Sequence, residues 1–545
     1  MNWYYLFIEI LSYLFIYMMA RNTLYRGRFF LHMYQQSGYK GREYWNWLGK
    51  NLATYALTVD LLAFNLVVLI IAIFLDHRLT HTAPILIIFI YALFWCAPVG
   101  LYTKNRPKKP LTFTPRMKRL AITFGLLGII IPLYGTSLSF QYGVLFPNIY
   151  ILAVTWVLGS LLLPYLLIIA GWLMYPVESA VQEGFKNQAR EKLSSVPALK
   201  TVAITGSYGK TSTKFFIKTI LGERYNVCFT PGSYNTPMGI CKVINNDLQP
   251  SHQIIILEMG ARYKGNINEL CQIAKPDVAV LTNIGVAHLE TFGSVDNIKS
   301  TKGELLDHLS DDGVAIINAD DPALADMTKD RNIKIISAGL EGGDFKASDI
   351  SYNENGCKFK VTGPNGTSEQ VSTKLLGSHN VQNLLLAFAV GHHFNIRLKT
   401  MALAAHRIEP VEHRMELKKT DNITIIDDAF NSNPVGARNA VETLSKFKPG
   451  RRIIITPGMV ELGAQEKQEN ERFGNIIGKA NLDHVYLVGA GQTKPILDGI
   501  RSTGFDMQKV TTVSNLFEAN KKLLENYQAG DVVLYENDLP DVYNE

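Results

Sequence analysis

The chain has 545 residues, of which 47% are hydrophobic and 19% charged, enough for three or four domains of about 150 residues each. Its five cysteines show no C-x-x-C pair and no regular spacing, which argues against a disulfide framework or a zinc knuckle. The formal net charge of +6 comes from residues 1–175, which hold 14 Lys and Arg against 4 Asp and Glu. Because the rest of the chain is slightly acidic, we expect no nucleic-acid partner.

Apolar runs long enough to span a bilayer, about 17–25 residues each, follow one another in the first third of the chain. The loops 21–53 and 104–119 between them carry almost all of the Lys and Arg of this region. Because short cytoplasmic loops are enriched in these residues, we predict a multi-pass domain over 1–175 in the cell membrane, with the N-terminus outside and the rest of the chain in the cytoplasm. The five predicted transmembrane helices lie near 4–20, 54–75, 84–103, 120–140 and 149–175.

The composition changes twice after the apolar region. Residues 176–198 are charged and favour a helix, which predicts an amphipathic linker at the membrane surface. From residue 199, short β-branched runs alternate with helix-length segments, which predicts parallel sheets with crossover helices. A break near 408–412 divides a central α/β domain, 199–408, from a C-terminal one, 409–545. The candidate strands are 200–205, 253–258, 278–282, 314–318, 423–427, 452–456, 484–488 and 531–535.

A polar stretch between about 344 and 375 interrupts this alternation. Its turn sequences, Asn-Glu-Asn-Gly at 353–356 and Gly-Pro-Asn-Gly at 363–366, are typical of β-hairpins. We therefore predict antiparallel strands in this part of the central domain.

The run 201–221 has the pattern of a strand, a glycine turn and a helix that opens with Lys-Thr. Two glycines allow backbone amides to face an anion, the lysine adds a positive charge, and the threonine offers a hydroxyl to Mg2+. The spacing departs from G-x-x-x-x-G-K-[ST] because residue 204 is Ile, but the flanking strand and helix favour ATP-phosphate binding over a structural turn. The candidate phosphate-binding residues are Gly206, Ser207, Gly209, Lys210, Thr211 and Ser212.

The loop sequence T-G-S-Y-G-K-T-S-T is similar to that of the Mur ligases, which build the peptide stem of bacterial cell-wall precursors. Further motifs of that family follow in order over about 199–535, and together they most resemble the branch that adds D-alanyl-D-alanine. The matching segments are Asn235-Thr236-Pro237, Glu258-Met259-Gly260-Ala261, Thr282-Asn283-Ile284-Gly285, Ala287-His288-Leu289-Glu290, Lys302-Gly303-Glu304, Gly377-Ser378-His379-Asn380, His413-Arg414, Asp427 to Pro434 and Gly458 to Gly463.

This resemblance implies both a fold and a reaction. The fold would be an α-helical membrane domain followed by α/β domains, namely a central P-loop Mur-ligase ATPase domain and a C-terminal Rossmann-like domain. The reaction would be ATP-dependent amide formation, in which a carboxylate takes the γ-phosphoryl group and an amine then displaces phosphate. Mg2+ and lysine charge would neutralise the two anionic reactants.

The resemblance also implies two Mg2+ sites. Thr211 and Glu258 would bind the first ion, and His288 would serve the second. Lys302 matches the lysine that the family carbamylates, whose modified side chain bridges to metal; the alternative is a solvated surface lysine. The catalytic residues implied in this way are Lys210, Lys302, His288 and Asn235.

Nucleotide contacts follow from the same resemblance. Asn380 would lie near adenine, with Asn383 in support, and Asn431 would lie close to the nucleotide. Arg414 and Asp428 would close the C-terminal domain onto phosphates and ribose; the alternative is an interdomain salt bridge or a helix cap. The pocket for the amine would be shaped by Met459, Glu461 and Gly463, of which the methionine is also a plausible core residue.

Two departures from the family bear on the substrates. The apolar runs occupy the place of the soluble domain that grips the UDP-sugar in the D-alanyl-D-alanine-adding branch. After the last strand, relatives carry a Lys-Gly-Ser-Arg-like loop, whereas residues 535–540 here are Tyr-Glu-Asn-Asp-Leu-Pro. We therefore expect a small-molecule or lipid-linked carboxylate acceptor, an amino acid or dipeptide amine, and membrane lipid as partners.

We weighed this membrane-anchored ligase against three alternatives. A ligase for another envelope polymer, such as poly-γ-glutamate, is disfavoured by the G-x-M-x-E-L-G run at 458–463. A non-catalytic ATP-binding membrane scaffold would be free to lose the lysine, glutamate and histidine residues that this chain keeps. An ATP-driven transporter would carry a second nucleotide motif, and the sequence shows none.

Overall fold

The computed structural model forms two compact units, Met1–Val181 and Gln182–Glu545. The second unit contains two β-sheets. The described residues are 3–52, 55, 110–142, 149–353, 356–420, 422–429, 432–447, 450–460 and 462–538.

The described part of the first unit is helical. Among the described residues, two helical segments are long and apolar enough to cross a membrane, Pro115–Gln141 and Val154–Ser194. The second segment belongs to a helix of 46 residues, which exceeds the thickness of a bilayer core by a wide margin. The helices are α1 (Trp3–Gln36), α2 (Gly41–Lys50), α3 (Pro115–Gln141) and α4 (Ile149–Ser194).

Three of the five predicted transmembrane runs lie in these helices. The run 4–20 lies in α1, the run 120–140 in α3, and the run 149–175 in α4. The runs 54–75 and 84–103 lie outside the described residues.

The segment predicted as a linker, 176–198, is largely helical because α4 continues without a break to Ser194. Within the second unit, Ala189 on this helix is fully buried among the residues of a hydrophobic core. The Lys186 ammonium donates to Glu269 Oε1 at 2.8 Å. The last turns of α4 therefore pack against the body of the second unit.

Nine strands form the first sheet of the second unit, in the order β2-β3-β1-β4-β5-β6-β7-β8-β9. They are β1 (Lys200–Thr205), β2 (Val227–Phe229), β3 (Ile254–Glu258), β4 (Val278–Leu281), β5 (Val314–Asn318), β6 (Lys334–Gly339), β7 (Phe345–Asn353), β8 (Gly356–Thr362) and β9 (Ser368–Thr373). The first seven strands in this order run parallel, as predicted. Every residue of β3 and β4 is buried, because helices cover both faces of such a sheet.

The predicted hairpins are confirmed at the other end of this sheet. The pairs β7–β8 and β8–β9 are antiparallel, and Asn353 pairs with Gly356 across the first turn. In the second turn, the amide of Gly366 donates to the carbonyl of Gly363 at 3.1 Å. The polar composition of this region follows from its position at one edge of the sheet.

Six strands form the second sheet, in the order β10-β11-β15-β12-β13-β14. They are β10 (Glu416–Lys419), β11 (Thr424–Asp428), β12 (Arg452–Thr456), β13 (His484–Val488), β14 (Val510–Val513) and β15 (Val532–Glu536). All neighbours are parallel except β10–β11. The eight predicted strands are confirmed within one residue at each end. Three of the strands that the sequence did not predict, β2, β10 and β14, lie at sheet edges, where short half-exposed strands lack an apolar run.

Helices connect most of these strands and cover the sheets. The helices of the second unit after α4 are α5 (Lys210–Leu221), α6 (Pro237–Asp247), α7 (Asn266–Ile273), α8 (Leu289–Phe292), α9 (Val295–Asp307), α10 (Pro322–Thr328), α11 (Ser378–His393), α12 (Leu398–Ala405), α13 (Pro434–Ser445), α14 (Glu466–Lys479), α15 (Lys494–Ser502) and α16 (Leu516–Asn526).

An ion pair between a buried aspartate and a partly exposed arginine connects the starts of two central strands of the second sheet. Asp531, which is 1% exposed, precedes β15 and accepts from Arg451 Nε at 3.0 Å and from Arg451 Nη2 at 2.7 Å. It also accepts from the amide of Gln528 at 2.8 Å. Burial acts to raise the pKa of Asp531, but these hydrogen bonds outweigh it and hold the pKa below its ordinary value.

We expect Asp531→Asn to destabilise the second unit by about 1–2 kcal/mol, because a neutral amide cannot keep all the hydrogen bonds that the buried carboxylate accepts from Arg451 and Gln528. Asp498→Asn is the matched control, since Asp498 is exposed and its contact with Arg501 is 3.9 Å long. Thermal unfolding followed by differential scanning calorimetry should give a lower midpoint for Asp531→Asn only. Equal midpoints for the two variants would contradict this assignment.

Candidate active site

The predicted phosphate loop connects β1 to the start of α5. Gly206 has φ 148° and Gly209, at the N-cap of α5, has φ 78°. A Cβ atom at Gly206 would lie 2.0 Å from Thr282 Oγ1, and one at Gly209 would lie 2.6 Å from Asn383 Oδ1. Only glycine therefore suits these two positions, and the loop leads into the amino end of a helix, where anions bind. Ser212 is buried in the first turn of α5.

The side chain of Lys210 folds back over the loop. Its ammonium donates to the carbonyls of Gly206 at 2.6 Å and Ser207 at 3.1 Å. Burial lowers the pKa of Lys210 to about 8; the carboxylate of Glu258 opposes this shift, and the Arg414 guanidinium adds to it. Lys210 thus places a positive charge on the phosphate loop near neutral pH.

The segment that follows β4 forms hydrogen bonds with the phosphate loop. The amide of Ser207 donates to the carbonyl of Asn283 at 2.9 Å, and the amide of Tyr208 donates to Asn283 Oδ1 at 2.8 Å. The hydroxyl of Ser207 accepts from the amide of Gly285 at 2.9 Å. The Thr-Asn-Ile-Gly motif of the sequence therefore acts by shaping the loop, a role that the motif alone did not reveal.

Glu258 ends β3, next to β1, and is 1% exposed. Its Oε1 accepts from Asn235 Nδ2 at 3.0 Å, and its Oε2 accepts from Lys214 Nζ at 3.0 Å. Burial acts to raise the pKa of Glu258, but Lys214 and Lys210 outweigh it and hold the pKa below its ordinary value. The carboxylate is therefore ionised.

Sequence reasoning missed Lys214. This residue is fully buried and also donates to the carbonyl of Gly232. The available signal was its position one turn after Lys210 on the same helix, because residues four apart share a helix face.

Lys302 lies on α9 and is 3% exposed, so the alternative of a solvated surface lysine is wrong. Burial holds the pKa of Lys302 well below its ordinary value, the nearby charge of Lys210 adds to the shift, and Glu304 opposes it. This shift favours the uncharged amine, the form in which lysine is a nucleophile.

The C-terminal domain contributes Arg414 to the phosphate loop. Its Nη2 donates to Thr211 Oγ1 at 3.5 Å, a contact between residues 203 positions apart. Asp428 Oδ1 accepts from the amide of Met415 at 3.1 Å. Burial raises the pKa of Asp428 to about 6, while the Met415 amide and Arg414 oppose the shift and Asp427 adds to it.

The amino end of α11 lies beside the loop through Asn383. Asn380, 5% exposed, uses its side-chain amide to donate to the carbonyl of Leu376 at 2.8 Å. Its neighbour His379, which we did not single out from the sequence, has a buried Nδ1 without a hydrogen-bond partner. Burial lowers the pKa of His379 to about 4, and Arg414 adds to the shift, so this imidazole is neutral.

Four other predicted residues have different outcomes. His288 takes a left-handed conformation, with φ 56°, at the N-cap of the short helix α8. Met459 is fully buried in the core of the second sheet, so its alternative assignment as a core residue is confirmed. Asn431 and Glu461 lie outside the described residues.

The donor set fits a magnesium nucleotide. Lys210, Lys214 and Arg414 place three cations around one ionised carboxylate, which leaves a positive surplus for a polyphosphate. Each oxygen of Glu258 accepts one hydrogen bond from the described residues and keeps a lone pair, and Thr211 offers a hydroxyl oxygen. Carboxylate and hydroxyl oxygens are the hard ligands that Mg2+ takes together with phosphate.

Comparison with known families agrees with this site. The Mur ligase middle domain matches residues 204–391, and the Mur ligase glutamate ligase domain matches residues 413–535. These two segments contain every described residue of the site.

Individual relatives match the same region. The UDP-N-acetylmuramoyl-tripeptide--D-alanyl-D-alanine ligase of Bacillus subtilis is 30% identical over 342 residues, which are 62% of this chain and 72% of that protein. The ligase of the same name from Mycobacterium bovis is 33% identical over 303 residues, 54% of this chain and 59% of that protein.

Among solved structures, the MurF ligase of Thermotoga maritima in complex with ADP superposes with a TM-score of 0.60 at 29% identity. The superposition covers 66% of this chain and 81% of that one. Sequence, fold and site thus agree. This chain belongs to the Mur ligase family of ATP-dependent amide-bond-forming ligases.

Proposed function

We propose that this protein catalyses the addition of D-alanyl-D-alanine, or a closely similar dipeptide, to the peptide of a UDP-linked muramoyl precursor. The observation that carries the proposal is the assembly of Lys210, Glu258 and Arg414 around one phosphate loop, on a chain similar to ligases named for this reaction. The amine would attack an activated carboxyl group, because amide formation from a free carboxylate requires a better leaving group.

In the first step, a carboxylate oxygen would attack the γ-phosphorus of ATP, forming an acyl phosphate and releasing ADP. Lys210 and Arg414 would neutralise the phosphate oxygens, which otherwise repel the incoming carboxylate. In the second step, the amine nitrogen would attack the acyl carbon, phosphate would leave, and the nitrogen would lose a proton. Bound Mg2+, held by Thr211 and Glu258, would supply further charge neutralisation on the phosphates.

The test is phosphate release by the full-length protein in detergent with ATP, Mg2+ and a panel of amines and muramoyl acceptors, both UDP-linked and lipid-linked. We expect turnover only with D-alanyl-D-alanine and the UDP-linked tripeptide together. If turnover requires a lipid-linked acceptor, the proposed UDP-linked substrate is wrong and the acceptor is lipid-linked. Phosphate release that no pair of substrates stimulates would refute it.

The same assay tests the site assignment. We expect Glu258→Gln to lower turnover at least about 100-fold, because it removes the carboxylate that the lysines and the metal share. Glu269→Gln is the matched control, since Glu269 is exposed and pairs with Lys186, outside the phosphate loop, and should leave turnover unchanged. Similar rates for both variants would contradict the assignment.

We further propose that Lys302 is carbamylated. Its uncharged, buried amine would attack the carbon of CO2, and the nitrogen would lose one proton, which leaves a carbamate anion. This anion would convert a side chain that repels the metal into one that binds it. The low pKa of Lys302 supports the proposal, because only the unprotonated amine reacts.

Carbon-13 NMR of protein incubated with labelled bicarbonate checks this modification. We expect a carbamate resonance in the wild type and in Lys299→Ala, a change of a half-buried lysine on the same helix that pairs with Asp326. Lys302→Ala should lose the resonance and the ligase activity. A resonance that survives in Lys302→Ala would place the modification elsewhere.

We also propose that residues 1–175 form a multi-pass membrane anchor with the catalytic domains in the cytoplasm. The apolar helices α3 and α4 and the basic segments 21–53 and 104–119 support this topology. The first of these segments, predicted as a loop, is largely helical, because it contains the end of α1 and all of α2. The full-length protein should stay with membranes in alkaline carbonate, and a C-terminal tag should be digested by protease only after the cell membrane is opened. Release by carbonate would contradict the anchor.

A further inference from the structure

The last strand of the second sheet ends beside the ends of its two neighbours. β15 lies between β11 and β12, with Asp428 in register with Glu536 and Ile455 in register with Tyr535. Asp428, Glu536 and Thr456 therefore end three parallel strands at one edge. The carboxyl edge of a parallel sheet is where such folds bind ligands.

Glu536 is 1% exposed and binds the loops that follow both neighbouring strands. The hydroxyl of Ser432, after β11, donates to its Oε1. The hydroxyl of Thr456, at the end of β12, donates to its Oε2 at 2.8 Å and accepts from the amide of Gly458 at 3.0 Å. One buried carboxyl group thus bridges two loops.

The side-chain amide of Asn537 connects the same two loops. It has the left-handed φ of 68°, and its side-chain Nδ2 donates to the carbonyl of Gly458 at 2.5 Å. Its Oδ1 accepts from the amide of Ser432 at 3.2 Å. Its backbone amide donates to the carbonyl of Asp428, also at 3.2 Å.

Asp428 connects the ends of these strands to the phosphate loop. Its Oδ1 accepts from the amide of Met415, and the preceding residue, Arg414, donates to Thr211 Oγ1. A displacement of Asp428 would therefore move the segment that carries Arg414. The connection from Glu536 to the phosphate loop consists of paired strand residues, chain neighbours and hydrogen bonds throughout.

We propose that Glu536 and Asn537 are positioning residues, which hold the ends of β11 and β12 so that Asp428 fixes Arg414 against the phosphate loop. This proposal rests on the proposed function in one respect: it takes ATP as the nucleotide that binds the phosphate loop. It assigns a role to the segment where the sequence departs from its relatives, Tyr-Glu-Asn-Asp in place of a Lys-Gly-Ser-Arg-like loop.

The protonation state of Glu536 gives this role a distinctive signature. Burial raises the pKa of Glu536 to about 8; the hydroxyls of Ser432 and Thr456 oppose the shift, and the charge of Asp428 adds to it. Below that pH the group is a neutral acid, whose protonated oxygen donates to one of the two hydroxyls, so that this hydrogen bond is reversed, while the other oxygen still accepts. Glutamine has the same pair of one donor and one acceptor, so Glu536→Gln mimics the neutral acid.

The direction of the pH effect follows from this shift. The folded protein holds the Glu536 proton more tightly than the unfolded chain, whose glutamates have their ordinary pKa of 4.5. The resulting stabilisation is complete below that ordinary value and is lost as the pH rises to about 8 and beyond. Ionisation also places a second anion beside Asp428 and so loosens the bridge.

The experiment measures the affinity of the full-length protein in detergent for a non-hydrolysable ATP analogue with Mg2+, without an acceptor or an amine. Asn537→Gly keeps the left-handed backbone and removes only the side-chain hydrogen bonds. We expect it, and Glu536→Ala if that variant folds, to weaken binding about tenfold at pH 7. Glu525→Gln, a change of an exposed glutamate on α16, is the control and should bind as the wild type does.

The second arm compares pH 7 with pH 9. The affinity of the wild type for the ATP analogue should fall more over this range than the affinity of Glu536→Gln. Because Lys210 titrates in both proteins, the difference between them measures the effect of ionising Glu536. Asn537→Gly could bind the ATP analogue as tightly as the wild type and yet unfold at a lower temperature. The role of Asn537 would then be purely structural, and the proposal would be overturned. An identical pH dependence in the wild type and Glu536→Gln would overturn it as well. Failure of the ligase assay with every acceptor would refute the proposed function and leave these binding results unaffected.

Discussion

The balance of charge around one buried carboxylate determines the rest of this site. Glu258 lies at the end of a fully buried strand, where an isolated carboxylate would be too costly to keep ionised. Lys214 and Asn235 occupy its two oxygens, and Lys210 adds a second positive charge nearby. In turn, the lysines are buried only because this anion is present. The surplus of positive charge then falls on the phosphate loop, where a nucleotide needs it.

The same charges explain why Lys302 behaves differently from its neighbours. Lys214 and Lys210 face Glu258, whereas Lys302 is buried close to Lys210. Protonation of Lys302 would therefore add a cation to a region that already carries more positive than negative charge. Burial and the charge of Lys210 therefore both favour the uncharged amine of Lys302, which is the form that the proposed carbamylation requires.

The C-terminal domain takes part in the site through a small number of long-range contacts. Arg414 reaches Thr211 from a separate sheet, and its backbone is held through Met415 and Asp428. Behind them, Glu536 and Asn537 connect the ends of three strands. The geometry at the phosphate loop therefore depends on residues whose own side chains are buried away from the nucleotide.

The sequence by itself determined the features that depend on neighbouring residues. The eight main strands, the hairpins and the phosphate loop could be predicted because alternation, turn residues and a glycine-lysine-threonine turn are local signals. The order of the strands has no such signal. That order places β15 between β11 and β12 and brings Lys214 to Glu258, so the tertiary structure alone decided which residues share a site. It also decided their protonation, because a pKa depends on burial and on charges from distant parts of the chain, and neither can be read from spacing along the sequence.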